Sequence, residues 1–336
     1  MSTPADLWMT SSSPHAHSGD SVQGIMRAVL LAMAPALLVA VWLFGWNAIR
    51  LTLVCVATCV ACEWACRKLM RREGGIGDLS SVVTGVLLAF NLPPTLPAWM
   101  AVLGSAVSII AAKQLYGGIG YNLFNPALIG RAFLLVSFPV AMTLWAAPLQ
   151  GFFPGPDAVT SATPLGAWKT AWSAGSAPAG FAEQFCVRDL LLGLRTGCLG
   201  ETSVVALALG GAYLLWRRCI SWHTPAAYIG SVLLGAAVLY KLDPAHNLSP
   251  LYHLTTGGLF LGAFFMATDM VTTPVTRPGL LIFGGGCGVL TLVIRRWGGY
   301  PEGVSFAILI MNALTPLINR ATRPRAFGHT KRTPKR

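Results

Sequence analysis

Long apolar runs follow one another along nearly the whole chain, each near the length of about 20 residues that crosses a hydrocarbon core. The first two cover 22–44 and 47–70 and end at a basic loop around Arg67, Lys68, Arg71 and Arg72. The next, 80–90, is too short to cross alone and runs into Asn91-Leu92-Pro93-Pro94, which predicts a broken or half helix. Segment 96–113 crosses back. Asn125-Pro126 then opens a fifth segment to about 138, with Asn as cap and Pro at the first helical position. After a long polar interval come 203–216, 225–240, 248–267, 279–294 and 304–318. The predicted fold is therefore all-α and integral to the membrane, with about ten transmembrane or half-membrane helices.

The two groups of segments resemble each other. GVLLAFN at 85–91, followed by prolines, parallels GAFFMAT at 262–268, followed by Asp269 and Pro274. Tyr116-Gly117-Gly118 parallels Trp297-Gly298-Gly299 in the same order. An odd number of segments per half predicts that the second copy is inserted upside down, giving two inverted five-helix repeats with broken helices at matching positions. The expected organisation is a polar leader (1–23), a first membrane repeat (24–138), a loop (139–200), a second repeat (201–319) and a basic tail (320–336).

Composition agrees. The chain has 336 residues, 54% hydrophobic and only 11% charged, against about 25% charged in soluble domains. The leader has no Lys or Arg before Arg27, so it lacks the charged start of a cleavable signal, and the first span is expected to serve as its own insertion signal. The tail carries Arg323, Arg325, Lys331, Arg332, Lys335 and Arg336, and by the positive-inside rule both termini are expected in the cytoplasm. Loop 139–200 is then extracytoplasmic. The net charge of +12 is explained by this topology and by contact with anionic lipid. No basic stripe is interleaved with aromatics, so nucleic acid is not an expected partner. Arg295-Arg296 would fall outside, against the rule.

Of eight cysteines, Cys55, Cys59, Cys62 and Cys66 share one face of the second span over about 16 Å. That is too far for one metal cluster, and the expected role is small residues at a helix seam. Cys186 and Cys198 flank a short loop where a disulfide is compatible with the sequence. The six histidines show no metal spacing, so no metal site is expected.

The candidate chemistry lies in the polar interval, at Asp157-Ala158-Val159-Thr160-Ser161-Ala162-Thr163. Small Ser161 and Ala162 would let the backbone enter a narrow cleft of a partner. Pro164 would end regular structure and leave Thr163 on an exposed turn. A plain Ser/Thr-rich loop is the bland alternative. Asp269, after the second broken helix, is either an ion-handling acid or a solvated helix-end carboxylate. Glu63 is expected to snorkel or to pair with Arg67. Glu201, opening the sixth segment, has a structural reading as an acid at a helix start. Gly284-Gly285-Gly286, inside an apolar span, reads as close helix packing.

With those residues in view, the chain resembles the D subunits of Rnf electron-transport complexes from about Gly24 to Asn319. The matching stretches are 85–94 (GVLLAFNLPP), 117–139 (GGIGYNLFNPALIGRAFLLVSFP), 157–165 (DAVTSATPL), 197–203 (GCLGETS), 220–230 (ISWHTPAAYIG) and 262–274 (GAFFMATDMVTTP). The related B subunit of sodium-pumping NADH–quinone reductases is the alternative, with a longer N-terminal region. A flavin-free small-solute channel of the same fold is a second alternative. The family usually has Pro after the acid where Met270 stands, and often Gly where Ser161 stands. The resemblance implies an inner-membrane flavoprotein subunit of an ion-translocating oxidoreductase. It implies FMN held by a phosphoester to Thr163, with Asp157, Thr160, Ser161 and Ala162 as the rest of the tag, and a noncovalent riboflavin in the membrane part. Electron transfer between ferredoxin and NAD⁺ would be coupled to Na⁺ or H⁺ movement, with the chemistry belonging to the flavin. Expected partners are the other Rnf subunits (A, B, C, E and G), a flavin transferase and membrane lipid.

Overall fold

The computed structural model describes residues 21–71, 76–149, 151–153, 161–174, 181, 185–201, 203–244, 246–300 and 302–324. Helix α1 (Val22–Phe44) is capped by the Ser21 hydroxyl, which accepts from the Gly24 amide. It joins α2 (Trp46–Leu69) through Gly45 alone. Gly45 has φ +56°, and a Cβ there would lie 2.4 Å from the Phe152 carbonyl oxygen, so the joint admits only glycine. The half helix α3 (Ser80–Phe90) follows. Then comes α4 (Ala98–Ile109), which runs on into a π-helical turn, Ile110–Gln114. Helix α5 (Pro126–Ser137) starts on Asn125, whose side chain accepts from the Ala127 amide.

The polar interval contains α6 (Pro164–Ser173) and a short helix, Val187–Leu192. The second group is α7 (Val204–Trp216), α8 (His223–Leu242), α9 (Pro250–Thr255), α10 (Arg277–Trp297) and α11 (Val304–Ala321). Between α9 and α10 the apolar run predicted as one span is broken. It restarts at Leu259–Leu261 and passes into a second π-helical turn, Gly262–Met266. The break falls at Gly257 (φ +69°) and Gly258 (φ +63°).

Helices α1, α2, α8, α10 and α11 are long and apolar enough to cross a membrane, and α3, α4, α5 and α7 are shorter apolar helices. Trp42, Trp46, Trp64, Trp99, Trp216, Trp222 and Trp297 lie exposed near helix ends, as in the aromatic belts of membrane proteins. The chain is a multi-pass membrane protein. The ends of α1 and α7 that carry Val22 and Leu214 line the same cavity as Ser80 and Lys113, which puts them on one face of the bundle. Thr163, Arg195 and Glu302 gather at a second pocket.

The packing order is the same in both groups. Helix α2 packs on α3 and α4, and α4 on α5; α8 packs on α9 and α10, and α10 on α11. Helices α1 and α7 pack on each other. Small residues make these seams, as they must where lipid offers no hydrophobic drive for association. Ala28, Ala32, Ala36 and Ala40, four apart on α1, are all buried. A Cβ on Gly210 would lie 2.1 Å from the Ala32 carbonyl oxygen. Gly210→Ala therefore pushes α1 and α7 apart and is expected to cost about 1–3 kcal/mol. Thermal unfolding in detergent measures it, and an unchanged melting temperature would mean the seam is not this close. Of the three consecutive glycines, Gly284 meets the Thr224 carbonyl oxygen at 2.5 Å on the same criterion, as close packing requires, whereas Gly285 faces open space. Cys55 and Cys59 are buried in the α2 seam, and Cys62 and Cys66 are half-buried.

Candidate functional site

Thr163 does not sit on an exposed turn. It is buried and caps α6, its hydroxyl accepting from the Gly166 amide at 3.1 Å. The reason is the one that starts α5: a capping side chain followed by Pro at the first helical position opens a helix. The preceding tag residues Ser161 and Ala162 are exposed. They are pinned by the Ser161 amide donating to the Trp145 carbonyl and by the Thr196 hydroxyl donating to the Ala162 carbonyl at 2.9 Å. Asp157 and Thr160 lie outside the described residues. Helix α6 is itself anchored. Lys169 donates to the carbonyls of Gly298 and Tyr300 beyond the end of α10, Trp168 Nε1 donates to the His246 carbonyl, and the Arg296 guanidinium stacks 4.2 Å over the Trp172 ring.

Thr163 opens on a narrow pocket of about 10 Å³, lined also by Arg195, Thr196, Glu201, Gly257 and Glu302. That is near the smallest space that holds one water. Behind it lies a buried charged cluster. Arg131 of α5 donates to Glu302 and to the Asn91 side-chain oxygen at the end of α3, and lies 4.0 Å from Glu201. The carboxylate oxygens of Glu201 and Glu302 and the Cys198 sulfur are all within 4.8 Å of one another.

Two further arginines serve the broken helix. A helix that stops inside a membrane leaves carbonyls without donors. Arg195 donates to the Thr255 and Glu201 carbonyls. Arg295 donates to those of His253, Thr256 and Gly257 at 2.8, 3.0 and 3.1 Å. Arg295 is wholly buried and serves as a structural donor to the broken helix. Cys198 is buried with its sulfur on the Asn91 carbonyl, Cys186 is exposed, and both are free thiols.

Another cavity holds about 380 Å³ and is mostly apolar, with Lys113, Asn122, Asn125, Thr268 and Asp269 among its lining. Both π-helical turns border it, a geometry common at functional sites. Asp269 is half-buried and accepts from the Thr272 hydroxyl at 3.2 Å and weakly from the Val271 amide at 3.4 Å. The Thr268 hydroxyl instead donates to the Phe264 carbonyl. Among the described residues no basic side chain forms an ion pair with Asp269. Lys113, by contrast, is fully engaged: it donates to Glu63 at 2.8 Å and to the Ser80 hydroxyl at 2.6 Å. Glu63 is wholly buried and pairs with Arg67, as expected, and with Lys113 besides. At the neighbouring turn, burial works to raise the Asp78 carboxyl. Hydrogen bonds from the Ser80 hydroxyl and amide, with Lys113 and Arg67 nearby, outweigh it and hold the group below the usual carboxylate range.

The sequence of this chain matches the model of the NQR2, RnfD, RnfE family over residues 9–328. It is 45% identical over 323 residues to the D subunit of the Na(+)-translocating ferredoxin:NAD(+) oxidoreductase complex of Acetobacterium woodii, covering 96% of this chain and 95% of that one. It is 42% identical to the D subunit of the ion-translocating oxidoreductase complex of Halorhodospira halophila, with 95% of each chain covered. It is also 42% identical to the D subunit of the proton-translocating ferredoxin:NAD(+) oxidoreductase complex of Clostridium ljungdahlii, covering 96% of this chain and 97% of the relative. The chain belongs to the NQR2, RnfD, RnfE family.

For this family member, sequence reasoning named Thr163 and Asp269, and the fold puts them at two different cavities. Glu201 joins Thr163 at its pocket. Arg131, Arg195 and Glu302 were missed. A signal did exist for Arg131: it is the lone charge in an apolar span, and such residues usually mark function or a buried partner.

Proposed function

We propose that this chain is the membrane flavoprotein D subunit of an Rnf-type complex, relaying electrons through FMN esterified to Thr163 while ferredoxin:NAD⁺ electron transfer drives Na⁺ or H⁺ across the membrane. Near full-length identity to named D subunits carries the reading. The phosphoester would stand at the start of α6 with the Arg195 guanidinium on the same pocket to pair with it, and the pocket of about 10 Å³ would have to open to admit it. The flavin supplies the electron-carrying chemistry when bound. The chain's own residues hold the phosphate, fix α6 through Lys169 and Trp168, and close the site around it. The apolar cavity beside Asp269 is the expected seat of a noncovalent riboflavin.

The matching packing order supports two inverted repeats, 24–138 and 201–319, joined by an extracytoplasmic loop, 139–200, with both termini cytoplasmic. Cys186, exposed in that loop, provides a topology test. With the remaining cysteines replaced, an impermeant thiol reagent is expected to label Cys186 from outside intact cells. Labelling only after the membrane is opened would reverse the orientation.

Functionally, vesicles from cells lacking this chain should lose ferredoxin:NAD⁺-driven ion uptake, and unchanged uptake would refute the assignment. Asp269 is the candidate coupling acid. Asp269→Asn keeps the size and most hydrogen bonding but removes the charge. The variant is expected to assemble with its flavin intact and to move at least several-fold fewer ions per electron. Wild-type pumping in sealed vesicles would make Asp269 a helix-end residue only.

A further inference from the structure

The polar interval does not begin polar. Between Arg131 and Asp157 the sequence holds no charged residue. After α5 the chain makes a short helical turn, Pro139–Met142, and then runs on irregularly. Its inner side is packed: Met142, Trp145 and Ala146 are buried. Its outer side is apolar and uncovered. Val140 is 73% exposed, Leu144 46%, Leu149 52%, Phe152 52% and Phe153 75%. Single exposed apolar side chains are ordinary, but a run of them along one side of a loop marks a contact surface.

The helix ends beside this stretch say what covers it. The Leu149 amide donates to the Leu43 carbonyl at 2.8 Å and the Trp46 amide to the Phe152 carbonyl at 2.9 Å, which straps the stretch to the joint between α1 and α2. Both helices are long and apolar enough to cross a membrane, so their joint lies at a bilayer surface. The Phe153 ring lies 6.3 Å from the exposed Trp46 ring and 4.9 Å from that of Phe152. Phe138 packs edge-on, at 5.3 Å, against exposed Trp99 at the start of α4. The apolar face is therefore continuous with the aromatic girdle of the lipid-facing helices. Its depth follows from the backbone. An irregular chain facing lipid cannot sit in the hydrocarbon, where its amides and carbonyls would lack partners, whereas the headgroup region supplies water.

We propose that residues 138–149 and 151–153 form a strap lying in the headgroup–acyl boundary of the bilayer, with Val140, Leu144, Leu149, Phe152 and Phe153 turned into lipid. The partner of this face is phospholipid. The contact is apolar and needs no anionic headgroup. The strap also sets the height of the Thr163 site. The carbonyl of buried Trp145 accepts from the Ser161 amide, so the start of α6 is held against the membrane surface whatever group Thr163 carries. The loop read from the sequence as extracytoplasmic then begins within the membrane boundary.

The test places single spin-labelled cysteines in an otherwise cysteine-free full-length chain, in nanodiscs of phosphatidylcholine and phosphatidylglycerol. V140C and F153C report on the strap, L31C on the exposed face of α1 and T170C on the exposed side of α6. Oxygen, which partitions into lipid, and a water-soluble nickel chelate serve as the two relaxants. The oxygen-to-nickel accessibility ratio at V140C and F153C is expected to be several-fold above that at T170C and below that at L31C. A ratio equal to that of T170C puts the face in water and overturns the proposal. Shielding from both relaxants means that protein covers the face, and overturns it too. The unsubstituted chain gives a second readout if a variant fails to fold. Phospholipid with a diazirine near the glycerol end of one acyl chain should, on irradiation, leave adducts on the tryptic peptide 132–169 within residues 138–153. Adducts at the ends of α1 and α2 with none in the strap overturn the proposal.

Discussion

Thr163→Val is expected to give a chain with no covalent flavin, its in-gel fluorescence falling to background, while Ser161→Ala stays fluorescent. Valine matches threonine in shape but has no hydroxyl to esterify. It also removes the cap of α6, since the Gly166 amide loses its acceptor, at a cost of about 1 kcal/mol. That loss alone is too small to unfold a helix held by Lys169 and Trp168. Disappearance of the flavin with the chain still present in the membrane therefore reports chemistry and not collapse. Persistent fluorescence would move the bond to Thr160 or Ser161. Because the Thr163 hydroxyl is buried and engaged in the finished fold, the proposed attachment would require α6 to lift from its pocket or to be modified before it docks.

Glu63→Ala carries the second large effect, and it falls on stability. Glu63 accepts from Arg67 at 2.7 Å, Lys113 at 2.8 Å and Gln114 at 3.2 Å while wholly buried. Among the described residues, its removal leaves the buried Lys113 ammonium hydrogen-bonded to the Ser80 hydroxyl alone, with the Asp78 carboxylate nearby but not paired with it. Breaking a buried pair from one side costs about 3–5 kcal/mol. A clear fall in melting temperature in detergent is expected, with lower yield. Adding Lys113→Met should recover much of the loss, because the stranded charge goes too. An unchanged melt for Glu63→Ala would mean water reaches Lys113, and the pair would then be worth little.

Much of the helix layout was legible in hydropathy. The first span and the half helix at Ser80–Phe90 fall where the apolar pattern puts them, and Asn125-Pro126 opens α5 as a cap followed by proline should. The same signal at Thr163-Pro164 was read as a breaker because the surrounding sequence is polar and rich in small residues. Asp269, singled out as an acid after a broken apolar run, lines a cavity of about 380 Å³. What hydropathy cannot convey is whether an apolar run stays straight. Residues 248–267 read as one span, and the break depends on two glycines with positive φ. The donors that make the break tolerable, Arg195 and Arg295, lie far off in sequence. The ion pairs of Arg131 join it to residues 70 and 171 positions away, a relation carried by tertiary packing and by no local pattern. Glu302 lies between two spans, where no local pattern singles it out.

The central claim, a flavin carrier at Thr163, is tested most directly by a mass spectrum of the tryptic peptide 132–169 from the chain co-expressed with its transferase. This peptide is expected to gain the mass of one FMN less one water, with fragment ions placing it on Thr163. An unmodified peptide, or flavin mapped to another residue, would contradict it.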